Sequence, residues 1–412
     1  MILKLLCVLT LCTSNNLWAA LPDYQGPEIL ARANLKDGYN IPEMSFLNNT
    51  SPVINNNGDI TFKIMAVEGL NNQALWLKRA DDSVGKIVYV APDERFLTDP
   101  SISDANKIAF NLYDEGVTDG LFTIDTKSLK VDQVLSPDNF SLDHYTYPQI
   151  KNNGHIFFRG TNENNERIFY EFLGSEKLNT LLAEGDNSLG IKASYLFRPS
   201  ANEAGSIAFK SRIGEKGQWD ERNPDSILLI SQSNNLSQDS KTAIPKITTI
   251  AKDRDSDPRS PYLGFGNSTS LSNNGYVAFI AVNLDSKKQI VLAKDQSQII
   301  LVTEGFFGIS EIESFAPKVN DNGIVLFRAK DSDGRRALFL ADEAGVKRLI
   351  GEGDDLQTDL GMGKILLNPN YPGFGGDVDM NDKNEIVFYS LIVSSQDSKE
   401  LGSAVFKMSP KK

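Results

Sequence analysis

Along most of the chain apolar and polar positions alternate with a period of two, in runs of four to eight residues broken by Asn, Asp and Gly. That period is a strand signal, and no stretch keeps the spacing of a helix. One phrase recurs: an apolar residue, a polar turn ending in Gly or Asn, then an apolar residue and Phe two apart. The turn residues are Gly58, Asn106, Gly154, Gly205, Gly275, Gly323 and Asn384, and the phenylalanines are Phe62, Phe110, Phe158, Phe209, Phe279, Phe327 and Phe388. Successive phenylalanines are 48, 48, 51, 70, 48 and 61 residues apart.

Each unit holds four short apolar runs. The first follows a proline in five units (Pro52, Pro100, Pro148, Pro199, Pro317) and ends at a turn, often Asn-Gly, which suits a type I′ hairpin. The second carries the Phe. The third is represented by Leu75-Trp76-Leu77 and Leu338-Phe339-Leu340, the fourth by Ile87-Val88-Tyr89-Val90 and Leu349-Ile350. Four antiparallel strands per 40–50 residues is the unit of a propeller blade. The last unit ends after its third strand, and Glu28-Ile29-Leu30-Ala31 resembles the fourth strands elsewhere. The expected fold is therefore all-β: a seven-bladed β-propeller of four-stranded antiparallel blades, closed by an N-terminal strand completing the last blade. A linear β-solenoid is the alternative, and would need no such strand.

Residues 1–20 read as a signal peptide, with Lys4 ahead of the apolar run Leu5–Cys12 and Leu17-Trp18-Ala19-Ala20 at the cleavage region. The expected domains are this segment and a single propeller over 21–412, periplasmic or secreted. Both cysteines, Cys7 and Cys12, fall within the leader, so the mature chain has no thiol for a disulfide, a nucleophile or a metal. Without Lys4 it carries 41 basic and 54 acidic residues, a formal charge of −13. That balance argues against nucleic acid, and no second apolar segment implies a membrane span after cleavage.

The motif Asn-x-x-Gly-x-x-x-Phe, complete at Asn55/Gly58/Phe62, Asn202/Gly205/Phe209 and Asn320/Gly323/Phe327, resembles the tandem repeat of a family of exported bacterial proteins. Glu184-Gly185-Asp186 and Glu352-Gly353-Asp354 belong to the same pattern. Ser103-Asp104-Ala105-Asn106-Lys107-Ile108-Ala109-Phe110 is similar to repeats of TolB-like propellers, which bind protein partners in the bacterial envelope. The resemblance implies an exported propeller and supplies no catalytic residues.

Catalytic chemistry finds little in the sequence. The two histidines, His144 and His155, have no Gly-x-Ser-x-Gly beside them, and cannot form a usual zinc site without cysteine. Asp331-Ser332-Asp333-Gly334 starts like a calcium loop but continues with Arg335-Arg336. Loops between the fourth strand of one blade and the first of the next carry Glu184, Asp186, Asp253, Asp255, Glu304, Glu352 and Asp354, with Tyr195, Phe197, Tyr262, Phe265, Phe306, Phe307, Tyr371 and Phe374 nearby. This acidic rim at the channel mouth is the candidate site, for a cation such as Ca2+ or for a cationic partner; recurrent turn chemistry is the competing reading. Insertions over 212–242 and 355–376 interrupt the spacing and are places for specificity. The expected function is binding of a protein or surface glycan without a cofactor. A glycan lyase or hydrolase using the acidic mouth, and a purely structural envelope protein, are the alternatives.

Overall fold

Strands form where the period-two pattern puts one apolar set against a neighbouring sheet, and the second strand of each unit shows this most plainly. Its Phe is buried in every case, from Phe62 to Phe388. Each faces a residue of the third strand in register: Phe62↔Trp76, Phe110↔Phe122, Phe158↔Tyr170, Phe327↔Phe339 and Phe388↔Phe406. The rings stack, with centroids 4.6 Å apart for Phe62 and Trp76 and 5.4 Å for Phe388 and Phe406. Cross-strand aromatic pairs of this kind fix register as well as adding apolar burial.

The computed structural model describes residues 20–412 except 71, 93–94, 115–116, 137–141, 176, 188–189, 191, 218–219, 221–222 and 232–245. Residues 1–19 of the expected signal peptide, and much of the 212–242 insertion, lie outside the described residues. Every described element is a strand, and no helix among the described residues is long and apolar enough to cross a membrane.

The fold is a propeller of antiparallel blades, but the expectation of seven four-stranded blades is corrected. Six blades are each built from one contiguous run, over 53–90, 96–135, 142–183, 193–252, 262–303 and 309–351. We number them 1 to 6. The chain ends meet in a different object, a seven-stranded closing sheet. Within it Glu28–Ala33 pairs antiparallel with Glu400–Met408, and Gly38–Tyr39 adds outside it. The 355–376 insertion contributes a hairpin, Asp355–Thr358 with Gly361–Ile365, which pairs with the end of Ile386–Ser394.

Strand number also varies among the six. Blades 2, 4 and 6 have five strands because the innermost strand is in two pieces, such as Phe96–Leu97 with Ser101–Ser103. The break falls at Pro100, Pro199 and Pro317, where a proline cannot donate to the ladder. Blades 3 and 5 keep one long inner strand but shift register between Thr146 and Gln149 and between Phe265 and Thr269.

The turns depart from type I′. All seven anchoring residues have positive φ, 95° at Gly58 and 62° at Asn106, whereas Asn57, Asn153, Asn274 and Asn322 do not. Gly58 N–H donates to Asn55 O at 3.1 Å, and Asn55 N–H to Asp59 O at 3.1 Å. The loop is thus one residue longer, a turn closed by a single left-handed residue.

Apolar clusters join neighbouring sheets in sequence. One of them packs Val387, Tyr389 and Val405 of the closing sheet on Phe62 and Trp76 of blade 1. That contact closes the ring and rules out a linear solenoid.

Candidate functional site

The Asn-x-x-Gly turns sit at one end of the axis and are tied to one another. Asn55 Oδ1 accepts from Asp59 N–H at 2.8 Å within its own turn, while its Nδ2 donates to Ser103 O of blade 2 at 2.9 Å. Asn202 does the same with Ser206 and with Ser272 of blade 5, and Asn381 with Glu385 and with Asn55. The next residue carries the link around the axis. Asn56 N–H donates to Asp104 at 2.7 Å, Ala105 N–H to Asn152 at 3.2 Å, and Asn152 N–H to Glu203 at 2.9 Å. Glu203 N–H donates to Asn273 at 2.9 Å, Asn273 N–H to Asp321 at 2.6 Å, Asp321 N–H to Asp382 at 2.8 Å and Asp382 N–H back to Asn56 at 2.9 Å. This circle rims a vestibule of about 220 Å3. Burial, with Asp321 and Asp104 nearby, pushes the Asp382 carboxyl above the usual carboxylate range against the pull of its hydrogen bonds.

A second set of links was missed in the sequence. The residue after each Phe is Lys63, Asn111, Arg159, Lys210, Ile280, Arg328 or Tyr389. Lys63 Nζ donates to Leu97 O at 3.0 Å, Asn111 to Tyr145 O at 2.9 Å and Arg159 to Leu196 O at 3.1 Å. Lys210 reaches Phe265 O at 2.9 Å, Arg328 reaches Gly376 O at 2.8 Å and Tyr389 reaches Leu47 O at 3.3 Å. Most of these carbonyls lie where the neighbouring inner strand breaks or bulges. A buried carbonyl without a ladder partner is costly, and a long donor from the preceding sheet satisfies it. The available signal was a polar residue after Phe in six of seven units.

Above the vestibule the broken inner strands leave an axial chamber of about 410 Å3. Lys63, Lys151, Arg198 and Lys318 line it, with Asp99, Asp377 and Asp379. Arg198 pairs with Asp377, joining blade 4 to the closing sheet, and its guanidinium lies 4.7 Å from the Tyr147 ring centroid. Lys318 is 3.5 Å from Asp379 and Lys63 is 3.5 Å from Asp99. Lys151 differs from these. It occupies the turn position held by Asn in blades 1, 4 and 6, is buried, and donates to Ala201 O at 2.5 Å. Among the described residues no carboxylate lies within ion-pair distance of its ammonium. Burial, reinforced by Lys318 and opposed by Glu203, lowers its pKa to about 8.

The acidic residues singled out in the sequence lie elsewhere. None of the seven lines the chamber. Glu304 accepts from Lys288 N–H at 2.8 Å and from Ile312 N–H at 2.7 Å, linking the third strand of blade 5 to the inner strand of blade 6. Glu184 and Glu352 repeat that link, Glu184 with Arg167 and Leu196, Glu352 with Arg336 and Gly373. Asp253 accepts from Asp225 and Ser256 N–H, and Asp354 pairs with Arg348 at 2.6 Å. Asp186 is half-buried and Asp255 exposed. Among the described residues no three His, Cys, Asp or Glu side chains come together as a metal-holding group. Of the nearby aromatics, Tyr262, Phe265 and Phe374 are buried, whereas Phe306, Phe307 and Tyr371 are 58%, 64% and 64% exposed. His155 Nδ1 lies 2.9 Å from Glu171, and His144 is exposed.

No family model matches the chain, and no curated protein matches it in sequence. Solved structures do match. An oligogalacturonate lyase from Vibrio parahaemolyticus superposes with a TM-score of 0.54 at 10% identity, over 95% of this chain and 98% of that one. The propeller is shared. The β-propeller domain of the Trilobed protease from Pyrococcus furiosus matches with a TM-score of 0.54 at 11% identity, over 88% and 95%. A puromycin-hydrolyzing peptidase from Mycobacterium tuberculosis matches with a TM-score of 0.50 at 10% identity, and this chain spans about half of it, 51%. A TolB-like protein from Agrobacterium tumefaciens is also among the neighbours, with a TM-score of 0.40. At such identities the likeness is one of fold, and fold alone does not carry activity.

Proposed function

We propose that this chain is an exported propeller that binds a protein or surface glycan on the face bearing the loops between successive sheets. The observation that carries this reading is a set of exposed apolar side chains on those loops, Phe306, Phe307, Leu367 and Tyr371, with Leu360 and Met362 on the hairpin that the 355–376 insertion adds to the closing sheet. Exposed apolar groups gathered on one face of a rigid scaffold mark an interaction surface. Three of the acidic loop residues serve that face indirectly, since the carboxylates of Glu184, Glu304 and Glu352 hold the loops against the next sheet. Export rests on the leader-like residues 1–20.

The test is retention of envelope proteins and of an array of surface glycans by the immobilised chain, compared with a Phe306→Ser/Phe307→Ser/Tyr371→Ser variant. A retained species lost by the variant at unchanged melting temperature supports the reading. Equal retention by both, or turnover of a polysaccharide by the wild type, overturns it in favour of a scaffold or a glycan-active enzyme respectively.

A further inference from the structure

The axial chamber is separate from the loop face and is built differently. Four basic side chains reach it from blades 1, 3, 4 and 6, and three carboxylates face them. Arg198, Lys63 and Lys318 each have a carboxylate within 4 Å; among the described residues Lys151 has none, and it uses one of its three donors on Ala201 O. A buried ammonium without a counter-ion is costly. Asparagine does the same stitching in blades 1 and 4 without a charge, so the turn itself does not require lysine. The chamber also has the volume of a small-ligand pocket, and Tyr113, Tyr147 and Gln149 add polar groups to its wall.

We propose that the axial chamber is a binding site for a small oxyanion, a carboxylate or phosphate group, held by Lys151 together with Lys318 and Arg198. The anion supplies the counter-charge that Lys151 lacks. Arg198 turns from Asp377 to the ligand while its guanidinium keeps its place over Tyr147. Asp377 is thus a competitor for the ligand's place, which gives the site an unusual sensitivity: removing that acid tightens binding.

The experiment is isothermal titration calorimetry of the full mature chain with citrate and, separately, inorganic phosphate at pH 7, with sodium chloride matched for ionic strength. Saturable binding of one anion per chain is expected. Saturation by citrate alone assigns a carboxylate ligand and by phosphate alone a phosphate ligand. The Lys151→Asn variant should bind at least about tenfold more weakly, the size of one lost charge-assisted hydrogen bond. Asp377→Asn should bind several-fold more tightly, and the exposed Lys287→Gln should match wild type. Lys318→Gln is the second weakening variant if Lys151→Asn does not fold. Absence of saturable binding by either anion, or equal affinities in wild type and both lysine variants, overturns the proposal. Neither result bears on retention by the loop face, which depends on Phe306, Phe307 and Tyr371.

Discussion

Lys151 shows how one residue departs from its repeat position with a measurable consequence. Its folded pKa of about 8 lies below the ordinary 10.5, so between those values the unfolded chain holds a proton that the folded chain has released. Stability contributed at this site is therefore low below pH 8 and rises as pH climbs from about 8 to 10.5. The expected gain is about 3 kcal/mol across that window, from the size of the shift. It is read as the difference in urea unfolding between wild type and Lys151→Asn at pH 7.5, 9 and 10, which cancels the tyrosines. A flat difference would show that burial does not lower its pKa as described. Asn55 is the regular version of the same position. Asn55→Ala removes both the turn acceptor and the donor to Ser103, and should cost about 2 kcal/mol in the same assay.

At the scale of strands and turns, most of what the sequence suggested concerned neighbours in the chain. The strands holding Phe62, Phe158 and Phe327 were legible because a period of two and a following turn are local properties. Turn type was only half legible: Gly58 and Asn106 take positive φ, but the preceding residue does not, because the hydrogen bond closes one residue further out. The split inner strands were foreshadowed by Pro100, Pro199 and Pro317, whereas the satisfaction of the first two by Lys63 and Arg159 was not, since donor and acceptor belong to different sheets. Close approach at Gly402 is a further element-level constraint. A Cβ there would lie 2.0 Å from Ala33 O, at φ 109°, where Glu28–Ala33 pairs with Glu400–Met408. Gly402→Ala should destabilise by at least about 2 kcal/mol in chemical unfolding. A neutral result would mean the closing pair can shift its register.

For the whole molecule, stability rests on joining the two ends of the chain. Leu30 is buried in the cluster that spans the closing sheet and blade 1, and Arg32, also buried, bonds Asp359 at 2.8 and 2.9 Å and Leu401 O at 3.1 Å. Leu30→Ala should cost about 3 kcal/mol. Deleting Glu28–Ala33 should go further, exposing the edge of Glu400–Met408 and giving concentration-dependent association in size-exclusion chromatography. A monomer with unchanged melting temperature would show that the closing strand is dispensable.

By itself the sequence determined an all-β chain of short antiparallel strands, its turn positions and its buried phenylalanines, since each follows from residues a few positions apart. The tertiary structure decided that six blades meet a composite seven-stranded sheet rather than a seventh blade of the same kind. It also decided that Glu184, Glu304 and Glu352 staple their loops to the next sheet, and that four basic side chains from blades 1, 3, 4 and 6 share one chamber. Those outcomes depend on which carbonyls are left unpaired and which side chains face the axis. Both are properties of the closed ring, set by residues tens to hundreds of positions apart.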